Sequence, residues 1–118
     1  MKVFKVYDHE CPICEKMALF DHSTILRLEI QPDYRTVELG NLLSPENPHM
    51  EDALLAQCVE RYACNPDYTL DLPVYVVMSG KKYLGHLVGE HTATDLQTKL
   101  EEIINGAQNK KSQDTLYN

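Results

Sequence analysis

The stretch "KVFKVYDHECPICEKMALF", Lys2 to Phe20, decides how the chain begins to fold. Its first six residues are branched, aromatic and free of turn formers, the composition of a β-strand. In a strand Val3, Lys5 and Tyr7 point one way, while Phe4 and Val6 point the other. Pro12 then fits the first turn of a helix, where its missing N–H costs nothing. Ile13, Met17 and Phe20 follow at helical spacing. The two cysteines of Cys11-Pro12-Ile13-Cys14 therefore fall where extended chain turns into helix.

At positions i and i+3 of a first helical turn, two side chains face the same way. Their Cα atoms then lie about 5–6 Å apart, within disulfide range. The unpaired N–H groups of a helix start favour negative charge, so Cys11 should ionise more readily than a free thiol. That makes Cys11 the expected nucleophile and Cys14 the resolving thiol. Glu10 and Glu15 oppose a thiolate, and Lys16 favours one. Two rival readings exist. The pair is half of a zinc site completed by Cys58, Cys64, His9 or His49, or it is two buried thiols without chemistry. Cys58 and Cys64 are six apart, outside the short spacings that zinc favours. Cys58 reads as a small core residue, and Cys64 sits at a helix end.

Working outward, "YRTVEL" (Tyr34–Leu39) reads as a second strand ended by Gly40-Asn41. Asn47-Pro48 reads as a helix start. Met50, Leu54, Cys58 and Tyr62, with Ala53 beside them, form the buried stripe expected of that helix, which Asn65-Pro66 stops. "LPVYVVM" is a near-continuous apolar strand. Ser79-Gly80 then turns the chain into "KKYLGHLV". Asp21–Thr24 reads as a break or new cap. Thr92 and Asp95 suggest a capping box, Leu96, Leu100, Ile103 and Ile104 one helical face, and Gly106 its end. The expected order is strand, helix, strand, helix, strand, strand, helix. Helical crossovers imply that the first three strands are parallel, with a final hairpin. This is an α/β domain over residues 1–106, a four-stranded mixed sheet with helices on both faces, followed by a polar tail at 107–118.

The chain has 118 residues, enough for one domain, and its apolar share of 43 % allows a real core. A net charge of −7 argues against nucleic acid or an anionic membrane surface as partner. No apolar run reaches the ~20 residues of a membrane span. A cytoplasmic protein is expected. In that compartment cysteines are more often catalytic, metal-binding or buried than structurally bridged.

With "CPIC" after a strand, "LDLPVYVV" opening a core strand, and "YLGHLVGEHTATDLQTKLEEII" closing the chain, the sequence resembles the thioredoxin and glutaredoxin superfamily from Lys2 to about Ile104. The resemblance implies a thioredoxin-like fold and thiol–disulfide exchange with disulfides of partner proteins. It needs no metal or cofactor, and electrons come from an upstream reductase or glutathione. It also implies that Pro73 is the family's cis-proline beside the dithiol. Leu72 would offer its backbone to a substrate strand. Tyr7, Pro12, Ile13 and Gly89 would complete the substrate-binding surface of a monomer. The chain departs from glutaredoxins in having Asp8, His9 and Glu10 before Cys11, and Val88-Gly89-Glu90-His91 as its turn. It departs from thioredoxins in having Lys5 where they keep a buried aspartate, which leaves Lys5, His9 and Glu15 as candidate proton acceptors. Two rivals of other classes are a thioredoxin-fold binding module without turnover and a zinc-dependent structural domain.

Overall fold

The computed structural model describes residues 1–47 and 49–117, with side chains described through residue 107. Strand β1 (Lys2–Tyr7) leads to α1 (Pro12–Ala18) and α2 (Asp21–Leu26), and then to β2 (Asp33–Glu38). A single helical turn, α3 (Leu39–Leu42), precedes α4 (Met50–Cys58). The latter runs on as a π-helical turn, Val59–Ala63. The hairpin β3 (Val74–Ser79) and β4 (Lys82–Val88) is followed by α5 (Ala93–Tyr117). The strands form one mixed sheet in the order β2-β1-β3-β4, with helices on both faces. Among the described residues, no helix is long and apolar enough to cross a membrane.

The period of two in β1 divides the core. Phe4 and Val6 face Leu42, Leu55, Val59 and Ala63. Val3 faces Met17 and Ile25 of α1 and α2, and Leu96, Leu100 and Ile104 of α5. β3 is buried from Val74 to Met78 because both layers cover it. That explains its unbroken apolar run.

Several expectations are corrected. β1 and β2 are parallel, but β3 is antiparallel to β1. The cause is the connection from α4 to β3. Glu51, in the first turn of α4, pairs with Lys2 and Arg35 near the start of β1, the π turn ends with Tyr62 stacked on Tyr83 of β4, and residues 64–73 then bring the chain to the end where β1 finishes. The buried residues of α4 and its π turn are Asp52, Leu55, Val59 and Ala63; the last three lie one position later than the expected Leu54, Cys58 and Tyr62. Met50 and Tyr62 are exposed. Arg35 draws Asp52 inward through two bonds of 2.6 and 3.2 Å, and this sets the helix's rotation. Gly40-Asn41 does not end β2 as a turn but lies within α3. His49 is the residue at the cap of α4, Asn47 donates to Asp52 at 2.7 Å, and Pro48 lies outside the described residues. The hairpin turn is Gly80-Lys81, where Gly80 takes a φ of +60°. Gly106 does not close α5, which continues through it. A glycine inside a helix costs about 1 kcal/mol relative to alanine, which is not enough to end it.

Gly85 has a packing reason. Ladder register shifts between Val77 and Met78, leaving Leu84 as the extra residue of a bulge. Beside it, a Cβ on Gly85 would meet Ile103 Cγ2 at 2.8 Å and Cγ1 at 3.0 Å. Both atoms sit close to the α5 backbone and cannot swing away. Gly85→Ala should therefore cost about 1–3 kcal/mol. Adding Ile103→Ala should make the pair less destabilising than the sum of the single changes, read by urea unfolding.

Asp52 gives a pH signature. Burial pushes its carboxyl up, but the Asn47 amide and the Arg35 guanidinium outweigh it and hold the group below its ordinary 3.8. A depressed carboxyl contributes stability that is complete above the unfolded value and is lost as pH falls through the folded one. Between about pH 5 and pH 2, the parent should lose more stability than Asp52→Asn, measured by urea midpoints across that range.

Candidate active site

β1 ends at Tyr7, and residues 8–10 fold back on themselves. Glu10 N donates to Asp8 Oδ1 at 3.3 Å and Cys11 N to Asp8 O at 3.2 Å. Cys11 is thereby delivered in extended conformation to the cap position of α1, with Pro12 opening the helix. Cys11 and Cys14 are joined as a disulfide with Cα atoms 5.2 Å apart. Cys14 N donates to Cys11 Sγ at 3.1 Å, so a backbone donor left over by the helix start is aimed at the first sulfur. The two sulfurs differ in access. Cys11 is half-exposed, Cys14 is buried, and Pro12 and Ile13 between them face solvent.

Beneath Cys14 lies a group of polar side chains inside the core. Lys5 and Asp21 each expose 4 % of their side chains. Lys5 Nζ donates to Asp21 Oδ2 at 2.5 Å and to the carbonyl of Cys14 at 3.1 Å. Tyr75 Oη donates to the same Asp21 oxygen at 3.0 Å. Burial, then the negative charge of Asp21, pushes the phenol of Tyr75 well above its ordinary range, so it remains a donor. Burial and Asp21 do the same to Tyr34, whose enclosed hydroxyl has no hydrogen-bond partner among the described residues. A buried ion is tolerated only when paired and hydrogen-bonded. Here one carboxylate serves β1 and β3 from α2.

A cavity of about 230 Å³ opens beside this pair, lined by Lys5, Tyr7, Asp8, His9, Cys14 and Thr36 among others. A larger hollow of about 420 Å³ shares Tyr7 and Thr36 and runs along β2 to Arg35 and Asp52, without a cysteine. His9 Nε2 lies 3.0 Å from Glu38 Oε2. Of the three candidate proton acceptors, Lys5 alone is buried against Cys14. His9 and Glu15 are exposed.

The remaining candidate residues gather at the same end of the sheet. Val6 pairs with Val74, so residue 73 follows opposite Tyr7. The Leu72–Pro73 peptide bond is cis. Pro73 is buried, and its carbonyl accepts a bond from Gly89 N at 2.9 Å, where Gly89 adopts a φ of +82°. Leu72 is half-buried against the α4 side of the core. Cys58 packs in that same layer, across the sheet from α1, and burial raises its thiol despite nearby Arg61. Cys58 and Cys64 are both free thiols, and among the described residues no three metal-ligating side chains converge.

Asp21 was not legible as a site residue, because "DHST" reads as a break. The available signal was Lys5, a lysine on the inward face of a strand, which demands a buried carboxylate. The chain has no significant match among protein-family models or curated proteins.

Removing one member of the ion pair strands the other. Asp21→Ala should destabilise by roughly 3–5 kcal/mol. Lys5→Met combined with Asp21→Leu should cost clearly less than the sum of Lys5→Met and Asp21→Leu alone, a coupling measurable by a double-mutant cycle in urea.

Proposed function

We propose that this protein is a thiol–disulfide oxidoreductase of thioredoxin-like architecture that reduces disulfides in partner proteins, in a reducing compartment such as the cytoplasm. The observation that carries the reading is the Cys11–Cys14 pair at a helix start, with one sulfur accessible and the other buried over an ion pair. Support also comes from the sheet order β2-β1-β3-β4 and from the position of Pro73 at the dithiol end of β3.

The chemistry starts from the reduced dithiol. Cys11, as thiolate, attacks one sulfur of the substrate disulfide and displaces the other as a thiolate. The mixed disulfide formed is attacked at Cys11 Sγ by Cys14, which gives up its proton as it does so. The second substrate sulfur leaves as a thiolate and takes a proton from water. Two electrons have then passed to the substrate, and the Cys11–Cys14 bond stands as in this structure. The Lys5–Asp21 pair is the buried acid–base group next to Cys14, and its carboxylate is the proposed destination of that proton. An upstream reductase or glutathione returns the two electrons. Tyr7, Pro12, Ile13, Leu72 and Gly89 form the surface against which the substrate lies, with Pro73 buried beneath it.

Insulin reduction by dithiothreitol, followed as turbidity, should be accelerated by the parent and not by Cys11→Ser. Cys14→Ser should accumulate a mixed disulfide with the substrate, visible as added mass. Absence of acceleration, with Cys11→Ser indistinguishable from the parent, would leave a binding module without turnover. A stoichiometric zinc ion lost in Cys14→Ser would replace the redox reading with a structural one.

A further inference from the structure

We infer that the dithiol face selects positively charged disulfide substrates, segments of partner proteins rich in arginine or lysine, and disfavours anionic ones. This rests on the exchange chemistry proposed above and adds the substrate class.

The net charge of −7 is spread unevenly. Lys81 and Lys82 sit at the β3–β4 turn. The register places that turn with Lys2 at the opposite end of the sheet from the cysteines. At the dithiol end, Asp8 and Glu10 precede Cys11, Glu15 follows Cys14, and Asp71 lies two residues before Pro73. Among the described residues none of these four carboxylates makes an ion pair. The lysines near them are already committed, Lys5 to Asp21 and Lys16 to Glu90, and the His9 ring lies against Glu38. Any substrate reaching Cys11 therefore meets uncompensated negative charge.

A different kind of group points the same way. The loop that runs into Pro73 presents Tyr68 with 89 % of its surface exposed, between Asp67 and Asp71. An open aromatic face among carboxylates suits a guanidinium or ammonium, by cation–π attraction and by charge together. The loop backbone carrying it is bonded across: Tyr68 takes a φ of 65°, and Asn65 N bonds Thr69 O at 2.9 Å. A neutral or anionic partner gains nothing from this set of groups. An anionic tripeptide disulfide such as glutathione disulfide is disfavoured by it, which favours an upstream reductase over glutathione as the electron source.

The test uses the full-length reduced protein and three small disulfides: cystamine, which is dicationic, bis(2-hydroxyethyl) disulfide, which is neutral, and 3,3′-dithiodipropionate, which is dianionic. Rates of protein oxidation are divided by the rates at which the dithiothreitol monothiolate attacks the same reagents at the same ionic strength, which removes leaving-group differences. At low ionic strength the normalised rates should fall in the order cation, neutral, anion, with ~10-fold or more between the extremes. At about 0.5 M salt, where screening acts within a few ångström, the spread should collapse. Glu10→Lys with Glu15→Lys should reverse the order at low salt. Tyr68→Ala should reduce the preference for an arginine-flanked disulfide peptide over its glutamate-flanked counterpart by about two- to fivefold. Equal normalised rates at low salt, or a preference untouched by salt and by charge reversal, would overturn the inference while leaving the oxidoreductase intact. Failure to react with any of the three would overturn both.

Discussion

A lysine in the middle of a buried strand is the constraint around which the dithiol end is organised. Lys5 cannot reach solvent from the inward face of β1, and an unpaired buried ammonium costs several kcal/mol. Asp21 answers that charge from the start of α2. For Asp21 to reach Lys5, the helix begun at Pro12 has to stop after Ala18 and restart at Asp21. The lysine's second bond, to the carbonyl of Cys14, ties the first turn of α1 down onto β1. Tyr75 brings β3 into the same contact. One carboxylate oxygen thus joins three elements beside Cys14.

The two cysteines are made unequal by backbone geometry more than by their neighbours. Cys11 occupies the cap, half-exposed, with an amide aimed at its sulfur. Cys14 is one turn further, buried, with Lys5 below. An accessible sulfur stabilised by a helix start and a sheltered sulfur over an acid–base pair suit successive steps of one exchange reaction. The acidic flanks work against thiolate formation, so the strand-to-helix junction and its amides matter more here than in a basic surround.

Much of this was readable beforehand, for identifiable reasons. The strand–CPIC–helix junction follows from proline chemistry and residue spacing. The β3–β4 hairpin and the Leu96–Leu100–Ile104 face follow from periodicity. What escaped the sequence depended on long-range partners. The direction of β3 depends on residues 64–73, which carry the chain from the π turn beside Tyr83 to the end where β1 finishes. Apolar periodicity places the α4 stripe on Leu54 and Cys58, whereas the buried face runs through Asp52, Leu55 and Val59, because a charged residue, Asp52, faces inward. Asp21 looked like a helix break because local sequence does not reveal that a lysine sixteen residues earlier needs it. Two of these differences, the face of α4 and the role of Asp21, turn on a buried carboxylate whose partner lies on another element. Such pairs are invisible to a reading based on apolar periodicity.

The central claim is that Cys11 and Cys14 are a reversible two-electron couple poised by this junction. The measurement that tests it most directly is a redox titration of the full-length protein in glutathione buffers, quenched by alkylation and read by mass spectrometry with peptide mapping. The account predicts that Cys11 and Cys14 gain and lose the alkylating label together, in one two-electron transition, while Cys58 and Cys64 stay reduced throughout. Independent oxidation of the two thiols, or a pair that stays reduced across the whole range, would contradict it.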